Sequence, residues 1–403
     1  MKYFVLIGDG MSDLPIKELG GKTPLDSAKT PNMDFIAKNG ESGLVLNVPP
    51  TLTPGSDVAA MSIFGYNPTE HYTGRGPLEA SSLGVKLKTG DIAFRCNFVT
   101  IRDGIMESFT ADHISTPEAS KLINTLNKKL GGKYIKFYTG LSYRHLLVIS
   151  QKAGDFVKAL GQMPCTPPHD ITGKDFEKYL PKGEGSDLIK GLMKESVMHM
   201  LEHPVNINRI RKGRKPATMI WLWGNGEAPK FISFKKKFKK RGAIITAVHL
   251  LKGLGRTLGM EVVNVKGATG FLDTNYNGKA NGAIKASKKN DVIFVHVEAP
   301  DECGHMGDIK GKIKAIEDFD RKIVGPILKY VNGLKEGGKV LVLPDHPTPI
   351  AKMTHTRDYV PFTVYNSKQK KVAKVKGYSE SEAKKSRIKV DDGSHLIAEH
   401  LFD

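Results

Sequence analysis

The chain has 403 residues, 39% of them hydrophobic and 26% charged, which is enough apolar material for a large core and excludes a disordered chain. This length predicts two domains, or one domain carrying a large insertion. The formal net charge of +19 is scattered over the chain; its densest run, Phe234-Lys235-Lys236-Lys237-Phe238-Lys239-Lys240-Arg241, reads as one amphipathic helix face, so we expect a solvated surface that draws in a small anion and not a nucleic-acid site.

Short apolar runs separated by helical segments predict an α/β fold. The strand runs are Tyr3 to Ile7, Met219 to Trp223, Ile244 to Val248, Val292 to Val297 and Val340 to Leu343. After the first of them Thr30 caps a helix, Pro31 suits its first turn, Met33, Phe35 and Ile36 supply its apolar contacts, and Gly40 closes it. The middle of the chain reads differently. Ala93 to Val99 alternates strictly, with Arg95 and Asn97 on one face and Phe94, Cys96 and Phe98 on the other, as in a half-polar strand. A helix follows from Pro117 to Leu130, a strand from Tyr143 to Ile149, a surface connection at Pro164 to His169, and a second amphipathic helix from about Ser186 to Glu202. We therefore expect residues 1–75 and 215–403 to form a discontinuous core around an inserted domain of residues 76–214.

No apolar run approaches the roughly 18 residues of a membrane span, and from the Met1-Lys2-Tyr3 start no cleavable signal is expected. Cys96, Cys165 and Cys303 form no C-x-x-C pair, so neither a disulfide framework nor a zinc knuckle is expected, and a reducing cytoplasm fits best. Gly253-Leu254-Gly255-Arg256-Thr257-Leu258-Gly259 misses the G-x-G-x-x-G spacing and has no acidic partner, so no nucleotide is expected.

Three apolar strands end in acidic residues: Ile7-Gly8-Asp9-Gly10, Val297-Glu298-Ala299-Pro300-Asp301 and Leu343-Pro344-Asp345-His346. In a parallel sheet such ends line one rim, where open α/β folds place their ligands. His305 and His355 follow at short range. Oxygen and nitrogen donors in this number exceed one tetrahedral ion and suit two divalent cations. Taken singly, each acidic residue is equally a turn or cap, and each histidine a structural one. Ser56, in Thr53-Pro54-Gly55-Ser56-Asp57, precedes a helical run and reads either as a helix cap or as a nucleophile. A helix start favours a bound phosphate, and an adjacent metal cluster would activate the hydroxyl.

Gly8-Asp9-Gly10-Met11, Pro54-Gly55-Ser56-Asp57, Tyr72 to Ala80, Asp91 to Asn97, Trp221 to Gly226, Gly267 to Lys279, and the Asp301, Asp345-His346 and His355 segments follow one another in order. Together they resemble the archaeal-type 2,3-bisphosphoglycerate-independent phosphoglycerate mutases of the alkaline phosphatase superfamily, over nearly the whole chain. The resemblance implies an alkaline-phosphatase-like wound sheet with an inserted α+β cap. It implies one metal held by Asp301, His305 and His355, and another by Asp9, Ser56, Asp345 and His346. Manganese is the ion it suggests, while the donors also admit zinc, cobalt or magnesium. Neither 2,3-bisphosphoglycerate nor a nucleotide is implied as cofactor.

The activity implied is conversion of 3-phosphoglycerate to 2-phosphoglycerate through a phosphoserine, in glycolysis or gluconeogenesis. The partner is thus a small phosphorylated hydroxy acid, not a membrane or nucleic acid, with the oligomeric state open. Arg75, Arg95, Asn97, His113, Arg144, His145, Arg209 and Lys279 are the candidates for holding it, since arginine matches carboxylate and phosphate through a bidentate fork. Each has an alternative role as a surface charge, loop residue or structural ion pair. The rival activities are a phosphatase, or a phosphotransferase on another small hydroxylated acceptor such as a homoserine kinase, although no Walker-type loop is present. Between Asp301 and His305, Cys303 reads as a small buried filler.

Overall fold

The computed structural model describes residues 1–369 and 375–403. Its strands are β1 (Lys2–Gly8), β2 (Glu41–Val45), β3 (Ile92–Arg102), β4 (Ile105–Ser108), β5 (Ile135–Leu141), β6 (Arg144–Ile149), β7 (Met219–Glu227), β8 (Gly242–Ile245), β9 (Glu261–Val262), β10 (Val292–Val297), β11 (Gly338–Leu343), β12 (Val360–Asn366) and β13 (Lys389–Val390). They fall into two compact units, one of Met1–Tyr72 with Phe231–Asp403 and one of Thr73–Lys230.

The first unit is a wound sheet in the order β13-β2-β12-β11-β1-β10-β8-β9. From β11 through β1, β10 and β8 to β9 the neighbours are parallel, and β12 runs antiparallel to both β11 and β2. The central strands are apolar on both faces because helices cover both faces, which is why they read as unbroken hydrophobic runs. Ile7 pairs with Leu343 and Gly8 with Val297, so the carboxyl ends of β11, β1 and β10 are level. The helix predicted after Thr30 forms as Pro31–Lys38 and buries Met33 and Ile36. Its Phe35 is 37% exposed, turned to the rim of that helix against Tyr365.

The second unit is an antiparallel sheet in which β3 lies between β6 and β7, β5 flanks β6, and β4 makes a hairpin with the end of β3. Helices Thr116–Lys129 and Ser186–Met200 bury Leu122, Ile123, Ile189 and Met193 with Phe94, Cys96 and Phe98 in one core. The other face of β3 is not solvated as its alternation suggests. Arg95 is 8% and Asn97 2% exposed, and Ala93 packs with Ala80 of helix Arg75–Ser82 and with Leu146.

Two further expectations change. Met219 to Trp223 pairs antiparallel with β3, from Val99 opposite Met219 to Ile92 opposite Glu227, and so belongs to the second unit and not to the wound sheet. A short apolar run carries no mark of which sheet it enters. The basic run forms a helix only over Phe234–Phe238, since Lys239 adopts a left-handed φ of 56° that ends it. Gly253 and Gly255 lie inside helix His249–Thr257. No helix of the described residues is long and apolar enough to cross a membrane.

Candidate active site

The level ends of β1, β10 and β11 deliver their acidic residues to one place. Asp9 follows β1 directly, Asp301 lies in helix Ala299–His305 after β10, and Asp345 and His346 follow β11. Ser56 begins helix Ser56–Ile63, whose cap residue is Gly55, so its hydroxyl is not occupied in capping. It points at the strand ends: Oγ lies 3.2 Å from His346 Nε2 and 3.5 Å from Asp9 Oδ2. His346 Nε2 is also 3.3 Å from Asp345 Oδ2 and 3.6 Å from Asp9 Oδ1. Backbone N–H groups of Gly10 and His346 donate to Asp345 Oδ1 at 3.0 and 2.8 Å, which fixes that carboxylate.

A second group adjoins the first. His305 Nε2 lies 3.1 Å from Asp301 Oδ2, His355 Nε2 lies 3.5 Å from Asp301 Oδ1, and the two imidazole Nε2 atoms are 3.0 Å apart. Ligand atoms of Asp9, Asp345 and His346, and those of Asp301, His346 and His355, each fall within 4.8 Å of one another. His346 stands in both sets. The structure thus brings all the predicted metal residues and Ser56 together on one rim.

The electrostatics are those of a cation site. Burial, then the Asp345 and Asp301 carboxylates, push the Asp9 carboxyl well above the usual range. Burial also opposes ionisation of Asp301, but hydrogen bonds with His305 and His355 outweigh it and hold this carboxyl well below the usual range. The Asp301 contact raises His305 to about 9. Asp9 Oδ1 and Asp345 Oδ2 are buried without a hydrogen-bond partner among the described residues, an arrangement of like charges that a divalent cation would satisfy. The donor set of carboxylate oxygen and imidazole nitrogen fits such ions.

Lys279 does not stand open on this rim. It is fully buried, and its Nζ donates to Glu298 Oε2 at 2.7 Å and to His296 O at 2.9 Å. Glu298 Oε1 also takes hydrogen bonds from Thr246 Oγ1 and the N–H groups of Ala247 and Val248. His296 lies between the two carboxylates, Nδ1 3.3 Å from Glu298 and Nε2 3.2 Å from Asp9. Against the lowering effect of burial, Asp9 and Glu298 raise His296 to about 10. Sequence reasoning missed both residues: His296 is hidden within the apolar β10 run, and Glu298 reads as the first turn after it.

In the second unit Arg75, Arg95 and Asn97 gather around Trp223. Its ring carries the Arg95 guanidinium at 4.7 Å and that of Arg75 at 5.7 Å, and its Nε1 donates to Asn97 Oδ1 at 3.2 Å. Asn97 pairs with Arg144 across β3 and β6. Burial, opposed by Glu79 and helped by Arg75 and Arg144, lowers the Arg95 pKa. The Glu79 carboxylate is 3.9 Å from Arg95 Nε, and that nitrogen has no hydrogen-bond partner among the described residues. His169 packs edge-on against Trp223 and joins this group unannounced by its loop sequence.

The remaining candidates lie elsewhere in this unit. His145 alternates with Arg144 to the other face of β6, is fully buried against Phe98, accepts a hydrogen bond from Gly140 N–H, and is driven by burial to about 3. Arg209 is 1% exposed and donates to Ala111 O, Lys215 O and Glu118 Oε2. It thereby holds a loop in which Ala111, Asp112 and His113 all take left-handed φ values of 46°, 53° and 48°, presenting an exposed His113.

The family model for 2,3-bisphosphoglycerate-independent phosphoglycerate mutase matches residues 37–206. Over 397 residues the chain is 52% identical to the enzyme of that name from Methanosarcina barkeri and 50% identical to that from Methanosarcina mazei, covering 98% of each chain. Among solved structures, a protein from Pyrococcus horikoshii is similar with a TM-score of 0.82 at 30% identity, covering 99% of this chain and 96% of that one. The cofactor-independent phosphoglycerate mutase from Thermoplasma acidophilum has a TM-score of 0.68 at 26% identity, covering 99% of each chain. With half of its residues identical to relatives matched over nearly their full length, the chain belongs to the 2,3-bisphosphoglycerate-independent phosphoglycerate mutase family.

Proposed function

We propose that the protein interconverts 3-phosphoglycerate and 2-phosphoglycerate in the cytoplasm through a phosphoserine at Ser56, beside two divalent ions and without 2,3-bisphosphoglycerate. The observation that carries this reading is the position of Ser56 Oγ, 3.2 Å from His346 and 3.5 Å from Asp9 at the level ends of parallel strands. Asp9, Ser56, Asp345 and His346 would hold one ion and Asp301, His305 and His355 the other; manganese is the expected metal. When bound, these ions neutralise charge on the phosphoryl group and lower the pKa of the serine hydroxyl.

Ser56 Oγ attacks phosphorus, the bond to the C3 oxygen breaks, and the phosphoryl group rests on the serine. The glycerate then turns so that its C2 oxygen attacks the phosphorus, the Ser56 Oγ–phosphorus bond breaks, and the C2 hydroxyl proton returns to the serine oxygen. There is little covalent work beyond this, so catalysis is mainly positioning and charge. Arg95, stacked on Trp223 with Glu79 3.9 Å from its Nε, supplies a guanidinium that suits the substrate carboxylate, with Arg75, Asn97 and Arg144 as further polar groups of this unit. A plain phosphatase has less need of such a group, since it releases its dephosphorylated product.

The test is the phosphorus fate in single turnover. Purified protein with manganese and 32P-labelled 3-phosphoglycerate, quenched in acid, should carry label on Ser56; label moving to product with the protein never labelled would contradict the phosphoserine.

A further inference from the structure

Thr348 lies outside every motif discussed so far, yet it is fully buried between the two ligand groups. Its hydroxyl donates to Asp301 Oδ1 in a short hydrogen bond, and the same oxygen lies 3.3 Å from His346 Nδ1. A threonine hydroxyl has one proton. With that proton given to Asp301, the oxygen can only accept from the imidazole, which requires the proton of a neutral His346 to sit on Nδ1. The Nε2 lone pair is then left facing Ser56, Asp345 and Asp9.

The surrounding backbone is shaped to this contact. A Cβ on Gly10, which has a left-handed φ of 60°, would lie 2.6 Å from both Asp301 Oδ1 and Thr348 Oγ1. On Gly304 it would lie 2.6 Å from Thr348 O. The backbone of Thr348 is clamped as well: its N–H donates to Ser12 O at 3.2 Å and its carbonyl accepts from the buried Lys312 Nζ at 2.8 Å. Glycine in both the Asp9 and the His305 segments therefore has a steric reason in one residue of a third segment.

We propose that Thr348 is the positioning residue of this centre, fixing His346 as the Nδ1–H tautomer and tying its ring to Asp301 so that both ligand groups are set by one hydroxyl. The inference rests on the two-ion reading above and adds a residue outside both ligand sets. Partners that orient a ligating histidine typically change metal affinity about 10-fold to 100-fold when removed.

Manganese binding by Thr348→Val and Thr348→Ser, measured by titration calorimetry, tests it together with the stoichiometry of the unaltered protein. Valine keeps the shape and removes the hydroxyl, so its affinity should fall about 10-fold to 100-fold. Serine keeps the hydroxyl and should bind close to the unaltered protein. Equal affinity in the valine variant, or equal loss in both, overturns the proposal. An unaltered protein that binds no manganese defeats the two-ion reading instead. Nitrogen-15 NMR of histidine-labelled metal-free protein gives a readout that needs no folded valine variant: His346 should show a protonated Nδ1, and a protonated Nε2 with bare Nδ1 overturns the assignment.

Discussion

The rim of the first unit and the arginine group of the second both gather charge, but they differ in how that charge is answered. On the rim nearly every donor is braced by another protein group: Asp345 by two backbone N–H groups, Asp301 by Thr348, and Asp9 by His296. Around Trp223 the guanidinium groups rest on an aromatic face, with Glu79 3.9 Å from Arg95 and Arg95 Nε unpartnered among the described residues. A braced set is preorganised for ions and a transferring phosphoryl group; a buried guanidinium as thinly countered as that of Arg95 is able to receive an anion. On the proposed function, the rim would carry the chemistry and Arg95 the hold on the glycerate.

The largest expected effect breaks the rim. Ser56→Ala should reduce mutase turnover by about 10⁴-fold or more, as loss of a covalent nucleophile does elsewhere. Circular dichroism and the thermal midpoint should stay near those of the unaltered protein, because the hydroxyl caps no helix. Turnover within tenfold of the unaltered protein would remove Ser56 from the chemistry.

Arg95→Ala sharpens the contrast from the other side. Its kcat/KM should drop about 10-fold to 100-fold, or about 1.4 to 3 kcal/mol of transition-state binding. The ratio of free phosphate to 2-phosphoglycerate should rise, because the acceptor is less well held. An unchanged ratio, read by phosphate release beside product formation, would contradict the retention role.

The smallest effect on catalysis should come from Arg209→Met, which separates an arginine that builds the unit from Arg95, proposed to hold the glycerate. Its hydrogen bonds to Ala111 O, Lys215 O and Glu118 are lost, so stability should fall by about 2 to 4 kcal/mol in urea unfolding. Manganese affinity should not move. Lost metal binding with unaltered stability would invert the assignment.

Much of the rim was legible because each segment carries its signal locally: an apolar strand followed within four residues by Asp9, Asp301 or Asp345. Parallel pairing then does the rest, since level strand ends bring residues 9, 301 and 345 together. What stayed hidden depends on contacts distant in sequence. Lys279 reads as a substrate cation until its burial against Glu298 is seen, and His145 reads like Arg144 until strand alternation separates them. β7 reads as one more buried strand because apolar runs do not declare their partners. Thr348 has no sequence mark at all; its role arises from its distance to Asp301 and His346.

The most direct measurement of the central claim is conversion of 3-phosphoglycerate by purified protein without 2,3-bisphosphoglycerate, with manganese, with chelator, and with manganese restored, while free phosphate is followed. The account predicts 2-phosphoglycerate in the presence of metal, none after chelation, recovery on restoration, and little free phosphate throughout. Metal-dependent phosphate release without 2-phosphoglycerate, or conversion that survives chelation, would contradict it.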